Sequence, residues 1–121
     1  MQGRDAFRAQ QADCVIGIGG GAALDVAKVV ALMAVLDGGV SGYAWDRAYV
    51  RPITSELPYI VAVPTTSGTG SEVGRSSVVS DDTSHIKQVI FSPKLLAKAV
   101  FADPELTIDL PAAVTAATGM D

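Results

Sequence analysis

The 121-residue sequence predicts an α/β fold in which parallel strands alternate with helices. Residues 13–19 and 59–64 are short apolar runs rich in β-branched side chains, which is typical of strands buried on both faces. Between them, apolar residues recur at helical spacing from Gly21 to Leu36. Each run also ends in a loop rich in glycine or hydroxyl side chains, and open parallel sheets bind ligands at that edge. These observations indicate a layered domain with a candidate binding site at one edge of its sheet.

The composition excludes several classes of function. Nine basic residues against 13 acidic ones give a net charge of -4, and the basic residues are scattered, so we expect no nucleic-acid partner. The apolar runs are too short to span a bilayer and the first residues do not form a secretory signal, so we expect no membrane association. Cys14 is the single cysteine, which excludes an internal disulfide and favours a reducing, cytoplasmic setting. We expect its side chain to be a small buried residue of the first strand.

Two further elements are predicted in the first half of the chain. Residues 5–12 indicate a helix whose apolar face is too small for the helix to be stable alone. Residues 37–57 are polar, glycine-rich and aromatic, which indicates a long loop with Tyr43 and Trp45 as packing anchors.

The second half is predicted to form shorter elements. Two strands joined by a polar turn are expected to pair as a hairpin, with His85 solvated in the turn. The predicted bounds are strands 77–81 and 86–92, a helical turn 93–99, a strand 99–103 and a connector 104–111. Pro111 is expected at the first position of the last helix, because an N–H group is not needed there.

The first candidate site is the segment "GIGGGAALDVAK", which begins at the end of the first strand and continues into the helix. Gly17, Gly19 and Ala22 match the dinucleotide fingerprint G-x-G-x-x-G/A. The acidic residue expected about 20 positions later in an ordinary Rossmann fold would end a second strand. Asp37 lies at that distance but follows a helix, so we interpret the segment only as a phosphate-binding loop at a helix N-terminus. The alternative is a tight turn without a ligand. Three consecutive glycines disfavour this alternative, because a turn alone seldom needs so much backbone without side chains.

Asp25 and Lys28 lie in the first turns of the same helix. The simplest interpretation is an acid stabilised by the helix dipole and a solvated lysine. The alternative is that the acid faces another group of the ligand.

The second candidate site is the segment "PTTSGTGSE" after the second strand. Its hydroxyl side chains suit ribose and phosphate oxygens; they belong to Thr65, Thr66, Ser67, Thr69 and Ser71. A Ser/Thr turn that satisfies its own backbone is the alternative, and the neighbouring glycine segment favours binding. Neither a serine nucleophile with a base nor a zinc-ligand spacing is evident.

Together, "GIGGGAALDVAK", "PTTSGTGSEV" and "FADPELTIDLPAAVTAATGMD" resemble the iron-containing (group III) alcohol dehydrogenases, and the resemblance extends from about Ala12 to the last residue. It implies an NAD(P)-dependent enzyme, homo-oligomeric as a whole, that interconverts small alcohols with aldehydes or ketones and uses a divalent metal, iron in this branch. It also implies that residues 1–110 are part of an incomplete Rossmann-like NAD(P)-binding domain. Residues 111–121 would then begin an all-helical metal-binding domain.

The resemblance implies roles for individual residues but identifies no general acid or base. The positions that match cofactor-binding residues of the family are Gly20, Gly21, Asp25, Thr65, Thr66, Thr69, Lys87 and Leu106. Asp121 matches the first metal ligand, and the three histidines that complete the family's metal site are not in this sequence. Ala22 and Gly74 stand where the family commonly has serine and threonine.

The chain therefore resembles an internal fragment of such an enzyme, and we expect it to be inactive on its own because one carboxylate cannot hold a divalent metal. Two alternatives stay open: a non-catalytic nucleotide- or phosphate-binding remnant, and a zinc-type glycerol or polyol dehydrogenase of the same architecture. The sequences of the segments "TTSGTGSEV" and "DPELT" resemble the iron-type branch more than the zinc-type branch. The choice between NAD and NADP, and the identity of the substrate, stay open.

Overall fold

The protein is built on a short parallel sheet that packs against one long helix. The computed structural model describes residues 2–81 and 85–120. The regular elements are α1 (Gln2–Ala9), β1 (Cys14–Gly19), α2 (Gly21–Val35), β2 (Tyr59–Pro64), β3 (Ser76–Ser80), β4 (Lys87–Phe91), β5 (Ala99–Val100) and α3 (Ala112–Gly119). Three short 3₁₀ helices lie at Val40–Tyr43, Pro93–Leu95 and Pro104–Thr107.

The strands form two sheets, as the predicted α/β class requires. β1 pairs in parallel with β2, and β2 pairs in parallel with β5, which gives the order β1-β2-β5. β3 and β4 form a separate antiparallel hairpin, as predicted, although residues 82–84 of its turn lie outside the described residues. Because Gly19 pairs with Pro64 in the register, β1 and β2 end side by side. The segments that follow them therefore leave the same edge of the sheet.

The expectation that β1 is buried on both faces is wrong. Its side chains alternate between the two faces of the sheet, and α2 covers only one of them. On the other face Cys14 is exposed, and Ile16 and Ile18 are 58% and 64% exposed. The predicted burial of Cys14 is therefore also wrong, because Cys14 lies on the uncovered face of a strand at the edge of the sheet.

Helix α2 packs closely on β1 because two glycines remove side chains from the contact. A Cβ atom on Gly17 would lie 2.8 Å from the Cβ of Ala27, and one on Gly19 would lie 2.7 Å from the Cβ of Ala23. Gly19 also has a φ of 143°, which L-amino acids with a side chain rarely adopt. These two glycines of the fingerprint therefore serve helix–strand packing and the turn into α2.

Helix α1 is short and amphipathic and packs against α2. The Arg8 guanidinium donates hydrogen bonds to the carbonyls of Ala34 at 3.0 Å, Met33 at 3.2 Å and Leu36 at 3.4 Å. These carbonyls belong to the last turn of α2, where the helix itself supplies no partner. Arg8 therefore caps the C-terminus of α2, and no local sequence pattern indicates this contact.

The main core lies between the second half of α2 and the hairpin. It consists of Leu32, Met33, Leu36, Tyr43, Ile90 and Leu95. Tyr43 is the packing anchor that was predicted, and its hydroxyl donates to the Asp37 carbonyl at 2.9 Å. Trp45, predicted as a second anchor, is instead 66% exposed. Ala44 forms a buried bridge with Ile90, so the next side chain along the extended chain points outward.

Smaller differences concern element lengths. The predicted strand 99–103 is reduced to Ala99–Val100, although the Phe101 N–H extends its pairing by donating to the Ala62 carbonyl at 2.9 Å. Pro111 is the N-cap of α3 and not its first helical residue. Within residues 2–81 and 85–120, no helix combines the length and apolar character that crossing a membrane requires.

Candidate functional site

The two segments predicted to bind phosphate meet at the edge of the sheet. We name residues 17–22 the glycine loop and residues 65–72 the hydroxyl loop. The Thr65 N–H donates to the Gly19 carbonyl at 3.0 Å, which joins the two loops directly after their strands. A Cβ atom on Gly20 would lie 3.0 Å from the Thr66 hydroxyl, and one on Gly21 would lie 3.2 Å from the Thr69 Cβ. The structure therefore brings five of the predicted binding residues together: Gly20, Gly21, Thr65, Thr66 and Thr69.

The N-terminus of α2 lies at this junction. The helix begins at Gly21, its N-cap is Gly20, and the N-cap makes no side-chain hydrogen bond. The first turn also contains no acidic residue. The backbone N–H groups and the positive end of the helix dipole are therefore directed toward the space between the loops, which is the arrangement that binds anions.

Lys28 is buried, which corrects the interpretation of a solvated lysine. Its side chain is 1% exposed, and Nζ donates to the carbonyl of Gly74 at 3.0 Å and to that of Ser76 at 2.8 Å. Burial lowers the pKa of Lys28, and the negative charges of Asp25 and Glu72 oppose that shift. The periodicity offered a signal for this burial, because Lys28 lies four residues after Leu24 on the apolar stripe of the helix.

Asp25 takes part in the same buried contact. Its Oδ1 lies 3.8 Å from Lys28 Nζ, and its Oδ2 accepts a hydrogen bond from the Val78 N–H at 3.0 Å. Its backbone carbonyl accepts from the Ser77 hydroxyl at 2.8 Å. Asp25 and Lys28 therefore tie the first half of α2 to β3, and β3 begins directly after the chain leaves the hydroxyl loop. The role of Asp25 beside a cofactor stays a prediction.

A cavity of about 230 Å³ adjoins the hydroxyl loop. Its wall includes Thr66 and Glu72 of that loop, and Asp103 and Thr107 of the connection after β5. Leu106, predicted to contact the cofactor, belongs to the 3₁₀ helix of this connection and is exposed. The connection thus adds a second wall beside the two loops, and it carries Leu106, the one residue of this segment that the resemblance assigns to the cofactor.

The other predicted residues are not brought into the junction in the same way. Lys87 is exposed and pairs with Ser80, at the hairpin end away from the hydroxyl loop. Asp121, the predicted metal ligand, lies outside the described residues. Among the residues that are described, no three His, Cys, Asp or Glu side chains are grouped so as to hold a metal ion. The contributions of Lys87 and Asp121 stay predictions.

Gly74, where the resemblance implies a threonine, occupies a crowded position. A Cβ atom there would lie 3.2 Å from the Gly70 carbonyl oxygen and 3.8 Å from Lys28 Nζ. A side chain at this position would therefore crowd the Gly70 carbonyl beside the buried lysine.

Taken together, these features define an α/β protein whose parallel sheet presents a glycine loop, a helix N-terminus and a hydroxyl loop at one edge. A family model for iron-containing alcohol dehydrogenases matches residues 1–104. The chain belongs to the iron-containing alcohol dehydrogenase family.

Three relatives illustrate the similarity. The chain is 43% identical over 115 residues to 4-hydroxybutyrate dehydrogenase of Cupriavidus necator. The matched region covers 95% of this chain and 30% of the relative. A solved 1,3-propanediol oxidoreductase shares 41% identity at a TM-score of 0.86, over 99% of this chain and 30% of that one. Sulfoacetaldehyde reductase from Bifidobacterium kashiwanohense, solved in complex with NAD+, shares 34% identity at a TM-score of 0.82, over 98% of this chain and 31% of that one. The chain thus spans about 30% of the length of these relatives.

Proposed function

We propose that this chain supplies part of the cofactor site of an NAD(P)-dependent alcohol dehydrogenase that uses a divalent metal, iron in this branch, to interconvert small alcohols with aldehydes or ketones. The family membership supports this assignment, as does the similarity to a reductase solved with NAD+. Among the sequence alternatives, a zinc-type polyol dehydrogenase would use the same loops.

One observation carries the proposal: Gly20 and Gly21 face Thr66 and Thr69 across the uncapped N-terminus of α2. The bare backbone of the two glycines lets a phosphate approach the helix N–H groups, and the threonine hydroxyls can donate to the same oxygens. No side chain of the first helical turn adds a negative charge that would repel the anion. The junction therefore fits a pyrophosphate.

The chemistry of hydride transfer belongs to the nicotinamide cofactor, and the protein contributes orientation and charge placement. In this chain the glycine loop and the hydroxyl loop would hold the pyrophosphate, while Leu106 would contact the cofactor from the connection after β5. Asp121 would be one ligand of the metal, whose role is that of a Lewis acid on the alcohol oxygen.

Calorimetric titration of the purified 121-residue chain with NAD, NADP and ADP tests the binding proposal. We expect all three to bind through the pyrophosphate. We expect Gly20→Ala to weaken them by about tenfold, because the added methyl group occupies the space between Gly20 and the Thr66 hydroxyl.

Gly39→Ala is the matched control. A Cβ atom at Gly39 has no neighbour within 4 Å and its φ is −93°, so this substitution should leave nucleotide affinity unchanged. Equal affinities of the wild type and Gly20→Ala, or no binding by a folded wild type, would contradict the proposed function.

A further inference from the structure

Glu72 has a buried oxygen atom for which the fold provides no partner. Within residues 2–81 and 85–120, Oε2 of Glu72 is buried and makes no hydrogen bond. Lys28 lies close enough for its charge to interact with Glu72, but its ammonium group donates to the Gly74 and Ser76 carbonyls. A buried acceptor without a donor lowers the stability of a protein, so such an atom calls for a specific explanation.

The position of Glu72 offers that explanation. Glu72 ends the hydroxyl loop and lines the cavity of about 230 Å³ that adjoins it. Thr66 lines this cavity and also lies against Gly20, so a ligand held between the two loops can extend into the cavity. A turn of the Glu72 side chain would then bring its buried Oε2 to a donor group of that ligand.

The charge of Glu72 restricts the part of the ligand that it can meet. An ionised carboxylate only accepts hydrogen bonds, and it repels phosphate. Its partner must therefore be a hydrogen-bond donor that carries no negative charge.

The chemistry of the cavity wall narrows the choice further. Besides Glu72 the wall contains the hydroxyl residues Thr66, Ser67 and Thr107 and the carboxylate residue Asp103. None of the described residues that line the cavity has an aromatic side chain on which a base would stack. Such a wall suits a sugar with several hydroxyl groups, and an acidic residue on a ribose hydroxyl is the usual recognition in dinucleotide-binding folds.

We propose that Glu72 helps to select the ligand: its carboxylate accepts a hydrogen bond from a ribose hydroxyl of the bound dinucleotide. This role rests on the proposed function, since it assumes that the pyrophosphate occupies the neighbouring loop junction. It adds a ribose contact to an edge of the sheet that otherwise recognises phosphate.

The test measures the affinity of the wild type, Glu72→Leu and Glu72→Gln for NAD, ADP-ribose, ADP and inorganic pyrophosphate by calorimetry, together with their unfolding temperatures. Glu72→Leu removes the acceptor, and we expect it to weaken ribose-containing ligands by about tenfold or more while pyrophosphate binds as before. The unfolding temperature should change little, because removal of an unsatisfied buried acceptor stabilises the fold while loss of the Glu72 charge near Lys28 opposes that gain. Glu72→Gln retains one carbonyl acceptor and should lose less affinity than Glu72→Leu.

Glu56→Gln is the matched control, because the Glu56 side chain is 85% exposed and pairs with Lys94 on the surface. This variant should bind all four ligands as the wild type does.

The ligand series identifies which sugar is involved. A loss for NAD and ADP-ribose but not for ADP assigns the ribose of the nicotinamide half, whereas a loss for ADP as well assigns the adenosine ribose.

Three results would overturn the proposal. If the wild type binds the nucleotides and both Glu72 variants bind them equally well, Glu72 has no role in binding and the proposed function still stands. If the variants lose pyrophosphate binding too and unfold at lower temperature, Glu72 has only a structural role. If the folded wild type binds none of the nucleotides, the proposed function fails together with this inference.

Discussion

The buried Lys28 provides the sharpest stability prediction. Lys28→Met keeps most of the buried stem but removes the ammonium group, which donates to the Gly74 and Ser76 carbonyls and lies 3.8 Å from Asp25 Oδ1. Each hydrogen bond from a charged donor contributes about 1.5–3 kcal/mol, and the relief of a buried charge offsets part of that loss. We therefore expect Lys28→Met to lower the free energy of unfolding by about 3 kcal/mol and the unfolding temperature by about 10 °C.

Urea denaturation followed by circular dichroism measures this loss, with Lys98→Met as the control because Lys98 is exposed. The pH dependence gives a second check. Burial lowers the pKa of Lys28 below its ordinary value of 10.5. In the pH range just below 10.5, the unfolded chain therefore binds more protons than the folded chain does. The wild type should therefore gain stability relative to Lys28→Met as the pH rises from the lowered pKa of folded Lys28 to 10.5. A loss no larger than that of Lys98→Met, with no pH trend, would refute the reasoning.

Three further predictions concern the loop, the helix end and the activity. Gly68 has a φ of 115°, and a Cβ atom added there would overlap the Thr118 carbonyl oxygen of α3. Gly68→Ala should therefore detach α3 from the hydroxyl loop and destabilise the contact between them by about 1–2 kcal/mol. Faster hydrogen exchange in α3, absent from Gly39→Ala, would show this; unchanged exchange would contradict it. Arg8→Gln should lower the free energy of unfolding by about 1 kcal/mol, because three carbonyls at the end of α2 lose their donor. Urea denaturation measures the change against the exposed Arg47→Gln, and equal stabilities would exclude the capping role. The purified chain should show no alcohol-dependent formation of NAD(P)H with added iron or zinc, since one carboxylate, that of Asp121, cannot hold a divalent metal; clear turnover would contradict the prediction.

The architecture could be predicted from the sequence because local patterns and tertiary structure agree. The apolar runs that became β1 and β2, the helical period of α2 and the turn between two strands each specify one element. The parallel pairing follows from the helix between the first two strands. Once Gly19 and Pro64 end paired strands, the meeting of the two loops is a geometric consequence.

The errors concern what covers each face, which local patterns do not encode. The apolar run of β1 indicated burial on both faces, but α2 covers only the face opposite Cys14, Ile16 and Ile18. The interpretation of Lys28 as solvated rests on its place in the first turns of a helix beside an acidic residue. Its partners are backbone carbonyls 46 and 48 residues further along the chain, and no local pattern reveals them.

The partnerless oxygen of Glu72 could not be predicted either. The sequence shows an acidic residue after a serine, but the burial of its Oε2 atom without a partner among the described residues is a property of the tertiary structure. Only the assembled structure shows that this oxygen lacks a donor.

The most direct test of the account is a structure of the chain with NAD or ADP-ribose bound. The account predicts that the pyrophosphate oxygens lie within hydrogen-bonding distance of the backbone nitrogens of Gly20 and Gly21 and of the hydroxyl of Thr66 or Thr69. A nucleotide bound elsewhere, such as in the exposed apolar cleft between β1 and α2 that Ile16 and Val26 line, would contradict it.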